Sequence, residues 1–176
     1  FDGLVRIERL APQGMIVLRG DLSASAVKNA ATGVAGVDMP GPLMANCVGD
    51  RGLLWMSPDE LAVLVPHAEA ATATESMAGL LANSHALVAD ISDARAHFRL
   101  EGRAVREVVA KLAPLDMSAD AMPVGMLRRT RFAQVAAGVW LRDETTAQVF
   151  CFRSVADYME TLLQTAAAPG SSVHYF

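Results

Sequence analysis

Lysine is almost missing from this sequence: Lys28 and Lys111 stand alone against thirteen arginines among 176 residues. Cysteine is equally scarce. Cys47 and Cys151 lie in opposite halves of the chain, with no CxxC pair and no Cys/His ligand spacing, which excludes a disulfide framework and a zinc knuckle. The pair reads as two buried thiols suited to a reducing, cytoplasmic setting. No apolar run approaches the ~20 residues that a membrane-crossing helix requires. The opening FDGLVRIERL lacks the basic, apolar and small-residue zones of a signal peptide, so the expectation is a soluble protein.

Positive charge is also in deficit. The net charge of −4 lacks the clustered cations that phosphate contacts demand, which argues against nucleic-acid binding. The one basic cluster, Arg128, Arg129 and Arg131, would divide between two faces of a strand and reads as a solvated sheet edge. Lysine poverty combined with 52% hydrophobic residues matches surfaces covered by other chains, where Arg and Met are enriched and Lys depleted. A biased genome composition produces the same pattern.

The usual chemical motifs are missing too. GVAGVDMPG, residues 33–41, has neither the spacing nor the strand-to-helix context of a dinucleotide-binding loop. No phosphate-binding loop and no GxSxG elbow occurs. The histidines His67, His85, His97 and His174 are scattered without ligand spacing. The carboxylate pairs Asp59-Glu60 and Asp143-Glu144 fall in expected hairpin turns, where solvated acids normally sit. The expected catalytic, cofactor-binding and metal-ligating sets in this chain are therefore each none.

What the sequence does contain is a repeat. The first half reads as strands Leu4 to Leu10 and Met15 to Arg19, helix Ser23 to Thr32, strands Asn46 to Val48, Leu53 to Met56 and Leu61 to Val65, then helix Ala68 to Leu81. The second reads as strands Ala86 to Ile91 and Ala96 to Glu101, helix Ala104 to Leu112, strands Leu127 to Gln134, Gly138 to Arg142 and Ala147 to Phe152, then helix Val155 to Ala167. Strands follow from alternating apolar positions, helices from apolar residues three and four apart, and Asp21 and Ser154 stand where N-caps are expected. LRGDLSASAVKNA aligns with LEGRAVREVVAKL through Gly20 and Gly102, and LLWMSPDELAVLV with GVWLRDETTAQVF through Trp55 and Trp140. The expected fold is α+β, a single domain of two β2-α-β3-α halves, about residues 1–84 and 85–168, with a tail over 169–176.

Within this layout DISDARAH, Asp90 to His97, is a tight turn between two strands. Asp90, Ser92 and Asp93 are suited to local Asx-type capping, and Ser92 lacks the strand-to-helix setting of an activated nucleophile. His97 and Arg99 are expected to face away from Phe98 and Leu100. The two Pro/Met connections, Met39 to Met44 and Met117 to Met126, are long enough either to contact a partner or to fill the seam between halves.

Several segments taken together carry a family resemblance. DISDARAHFRLEG, AKLAPLDM, WMSPDELAVLVP and FRSVADYMETLL occur in the order and spacing of the gamma subunit of heterotetrameric sarcosine oxidase, a relative of the folate-binding aminomethyltransferase superfamily. The likeness spans about Gly14 to Leu163. It implies an aminomethyltransferase folate-binding-domain-like fold in which the first strands of the two halves exchange. It also implies an accessory chain partnered by alpha, beta and delta subunits, in a complex that oxidises sarcosine to glycine with hydrogen peroxide and either formaldehyde or methylene-tetrahydrofolate. FAD, FMN, NAD, zinc and tetrahydrofolate then belong to the other subunits. Two alternatives stay open, a folate-dependent aminomethyltransferase-like enzyme and a free-standing folate-binding module. The first normally has a longer chain and an acidic folate-contacting residue with no evident counterpart here. The Lys-Gly-Cys-Tyr-x-Gly motif of iron–sulfur-assembly relatives is absent around both Cys47 and Cys151.

Overall fold

The computed structural model describes residues 1–176, which divide into two compact units: residues 1–11 with 94–176, and residues 12–93. Ten strands and four helices follow one another in the chain. The first unit holds β1 (Arg6–Arg9), β7 (Arg95–Glu101), α3 (Val105–Leu112), β8 (Leu127–Phe132), β9 (Val135–Asp143), β10 (Thr146–Phe152) and α4 (Ala156–Ala166). The second holds β2 (Gln13–Arg19), α1 (Ser25–Ala35), β3 (Ala45–Val48), β4 (Arg51–Ser57), β5 (Glu60–Pro66), α2 (Ala70–Leu80) and β6 (Leu87–Asp90). No helix is long and apolar enough to cross a membrane.

Each unit is built on one antiparallel five-stranded sheet, in the order β1-β7-β10-β9-β8 and β6-β2-β5-β4-β3. Replacing each strand by its counterpart in the other repeat converts one order into the other. That correspondence holds only because β1, from the start of the chain, pairs with β7, in the register Arg6 opposite Glu101, while β6 pairs with β2, with Ile16 opposite Asp90. The duplicated β2-α-β3-α pattern and the implied strand exchange are both present. The basic strand β8 is a sheet edge, with Arg129 and Arg131 exposed.

The central strands bury side chains on both faces, which is why ELAVLVP and TAQVFCF read as nearly unbroken apolar runs. In the first unit Phe98, Leu100, Val139, Leu141, Val149 and Cys151 meet Val105, Val108 and Val109 of α3 and Met159 and Leu163 of α4. In the second, Ile16, Leu18, Leu53, Leu61, Val63 and Val65 meet Val27, Ala30 and Ala31 of α1 and Met77 of α2. Burial of these apolar side chains stabilises each unit by about 1.5–3 kcal/mol for every large residue.

Three local expectations change. Asp21 does not cap α1: its carboxylate accepts from the N–H (2.9 Å) and hydroxyl (2.6 Å) of Ser23, closing an Asx turn ahead of a helix that begins at Ser25. Ser154 lies inside a 3-10 turn, Arg153–Val155, that precedes α4 and makes no side-chain cap. Cys151 is buried, but Cys47, at the edge strand β3, is only half-buried. The Asp21 and Ser154 misses share a cause: the first turn of each helix is set by a local turn that propensity does not register.

Candidate functional site

The DISDARAH stretch forms a turn built around Ser92. The Asp90 carboxylate accepts from the Ser92 N–H (2.9 Å) and hydroxyl, and the hydroxyl oxygen in turn accepts from the Met15 N–H (3.0 Å). Ser92 is buried, so both lone pair and proton are used to close β6 against β2. Asp93 stands 3.7 Å from the His67 ring. The expected grouping of Asp90 with Ser92 is therefore real and serves the 3-10 turn that links β6 to β7, strands of different sheets, while His97 stacks on Phe150.

His97 lies on the face of the first unit's sheet away from Phe98 and Leu100, 2% exposed, with neither ring nitrogen hydrogen-bonded. Phe150, directly opposite on β10, stacks at 5.9 Å between centroids, and Trp140 lies 6.1 Å beyond it with its indole N–H also unpartnered. Gly138 makes room for this cluster, since a Cβ there would fall 2.3 Å from the Phe150 ring. Burial, with a smaller contribution from the Arg95 guanidinium, pulls the His97 pKa down to about 4. Burial likewise pushes the Cys151 thiol up to about 11. A protonated thiol is a poor metal ligand and a poor nucleophile; the neutral imidazole is the ligating form, but it packs against Phe150 and no set of three ligating side chains gathers around it.

The hairpin acids belong to their turns. Asp59 accepts from the hydroxyl of Ser57 (2.6 Å) and from Arg19, and these donors hold its pKa below the usual carboxylate range. Asp143 is held down the same way by the backbone N–H (2.8 Å) and hydroxyl of Thr145. A lowered pKa keeps a carboxylate ionised and unsuited to donate a proton at neutral pH. Nowhere do three His, Cys, Asp or Glu side chains converge as a metal site.

One heavily bonded polar group is one the sequence conceals. Arg106, on α3 and 9% exposed, donates to the carbonyls of Met117 (2.9 Å) and Met122 (2.8 Å) and to the Glu144 carboxylate (2.9 Å). One residue on, Glu107 accepts from Ser172, Val173 and His174, and Lys111 lies 3.4 Å from it. Met117 and Met122 are themselves interior, and Val124 is the large apolar side chain that the second Pro/Met connection exposes, alongside Ala119 and Asp120. In the first connection Leu43 is exposed, in the left-handed region at φ +63°. The second unit also has open clefts, two of which lie near its turns. One, about 640 Å³, runs beside β3 and the end of α1; the other, about 590 Å³, is lined by Arg19, Asp21, Asp59 and His85.

The fold falls among known structures. The chain superimposes on heterotetrameric sarcosine oxidase from Corynebacterium sp. U-96, solved with pyrrole 2-carboxylate, at a TM-score of 0.85 and 21% identity, covering 98% of this chain and 88% of that one. Aminomethyltransferase T of the glycine cleavage system from Bartonella henselae matches at 0.68 and 10% identity over 92% of this chain but 46% of its own. The regulatory subunit of aspartate kinase from Thermus thermophilus matches at 0.51 and 14% identity, over 93% and 97% of the two chains. Among curated protein sequences there is no match. Two antiparallel sheets, four helices and a duplicated strand order place the molecule in the α+β aminomethyltransferase-like class. Residues 19–169 match the sarcosine oxidase, gamma subunit family, and the chain belongs to that family.

Proposed function

We propose that this chain is the accessory, non-catalytic gamma subunit of a heterotetrameric complex that oxidises sarcosine to glycine, releasing hydrogen peroxide and formaldehyde or methylene-tetrahydrofolate. Its partners are the alpha, beta and delta subunits, the assembly is cytoplasmic, and FAD, FMN, NAD, zinc and tetrahydrofolate are held by those other chains. The observation that carries this reading is the family match over residues 19–169. Supporting it, the polar groups that could suggest chemistry are spent on structure: Ser92 and Asp90 on a turn, Asp59 and Asp143 on hairpins, Arg106 and Glu107 on fastening loops to α3.

The test is co-expression of this chain with a dinucleotide- and folate-binding chain, a flavin-binding chain and a small cysteine-rich chain. One assembly of fixed composition should purify through a tag on any of them, and omission of this chain should lower both its yield and its turnover. Unchanged composition and turnover without it overturns the reading. Titration of the isolated chain with tetrahydrofolate separates the folate-binding alternative. Binding tighter than about 100 μM, roughly 5.5 kcal/mol, favours that alternative.

A further inference from the structure

We infer that the open edge of β8 is a docking strip for an extended, acidic segment of another subunit of the complex, an inference that rests on the gamma-subunit reading above. β8 ends the first unit's sheet and pairs on one side only, with β9. The two-residue turn at Ala133 and Gln134 makes Phe132 opposite Val135 the closing hydrogen-bonded pair, so that Thr130 and Arg128 bond to β9 as well. The N–H and C=O groups of Arg129 and Arg131 therefore point away from the sheet, and both side chains are exposed. Each of these two residues offers a main-chain donor, a main-chain acceptor and a guanidinium fork, and their positions two apart put both forks on one face.

Little within the chain answers this charge. From Ala121 to Arg142 there are four arginines and no Asp, Glu or Lys, a local charge of +4 in a chain that carries −4 overall. The cross-strand neighbours of Arg129 and Arg131 are Gly138 and Ala136, which have no carboxylate to offer. Arg128 and Arg131 form no ion pair within the chain. Charge on a free edge guards it against stray pairing, yet the duplication shows that this fold does not demand it. β3, the counterpart of β8 in the other sheet, is also an edge strand and reads ANCV, without a charge. Arginines crowded on one strand repel one another, and an acidic strand laid beside them turns that repulsion into attraction. Main-chain pairing gives such a strand its place. Carboxylates two residues apart along it match the spacing of Arg129 and Arg131, and each guanidinium takes a carboxylate by two parallel hydrogen bonds.

The experiment is assembly of the four co-expressed chains, comparing wild type with Arg129→Glu/Arg131→Glu and Arg129→Lys/Arg131→Lys. A third variant, Lys28→Glu/Arg103→Glu, makes the same change in net charge as the first, at exposed positions elsewhere. Each alters only exposed side chains, so the isolated chains should melt as the wild type does. Retention on a tagged partner subunit should fall tenfold or more in the first variant, by less in the second and not in the third. Wild-type retention should weaken with added salt more steeply than that of the first variant. Carbodiimide coupling of Arg129→Lys/Arg131→Lys should give amide cross-links from positions 129 and 131 to one acidic stretch of a partner subunit, located by mass spectrometry. Undiminished retention of Arg129→Glu/Arg131→Glu, with the wild type assembling, overturns the strip and leaves the gamma-subunit reading standing. An equal loss in Lys28→Glu/Arg103→Glu also overturns it, as do cross-links to a second copy of this chain. Nucleic acid that co-purifies with the wild type and not with the first variant makes the strip's ligand a different polymer and sinks the inference. Failure of the wild type itself to assemble overturns the gamma-subunit reading, and the strip with it.

Discussion

His97 is a buried histidine whose ring has no partner, and acid should find it first. Above pH 6.5 the imidazole is neutral in folded and unfolded chains alike. As pH falls from 6.5 toward 4, the unfolded chain takes up a proton that the folded one refuses, so stability is complete above this window and drains away through it. The cost reaches about 3 kcal/mol below pH 4 and about 2 kcal/mol between pH 7 and pH 5. Urea titrations at those two pH values should show the loss, and His97→Leu should abolish most of it. Next to it, Gly138→Ala drives a methyl group into the Phe150 ring and should destabilise by about 1–3 kcal/mol. A double-mutant cycle with Phe150→Leu should recover part of that loss, because the two positions share one space.

At the level of elements, α3 does more than cover a sheet. Its apolar stripe, Val105, Val108 and Val109, enters the core, while Arg106 and Glu107 fasten the connection 113–126 and the segment 171–174 to its sides. Arg106→Met leaves the Met117 and Met122 carbonyls without their donor and should cost about 3 kcal/mol. Arg106→Lys should recover only part of it, since an ammonium cannot span the same fork of acceptors. Limited proteolysis between Met117 and Met122 should accelerate in both variants. Apolar residues, alternating in some strands and nearly unbroken in the central ones, made the ten strands legible, and the Gly20/Gly102 and Trp55/Trp140 correspondences made the duplication legible. Arg106, Glu107 and Lys111 escaped because VREVVAK presents them as the solvated side of an amphipathic helix. What buries them arrives from residues 11 to 67 positions further on, a distance at which local pattern carries no information.

For the whole molecule, the exchange of β1 and β6 decides which pieces of chain can stand alone. Residues 12–93 contain a complete five-stranded sheet with α1 and α2 on it; residues 1–84 contain β1 without β7 and β2 without β6. A fragment spanning 12–93 should melt cooperatively, whereas one spanning 1–84 should give a broad transition, as circular dichroism would record. Cutting by sequence repeat breaks two strand pairs that cutting by sheet preserves.

The exchange also sets a schedule for synthesis. β1 leaves the ribosome well before its partner β7, which begins some ninety residues later, and at roughly 5–20 residues per second that is a wait of about 5–20 s. Throughout that interval the RIER strand is an open template for foreign pairing. Two arginines and a glutamate in four residues are what keep it from sticking to a neighbouring nascent chain before its own partner emerges.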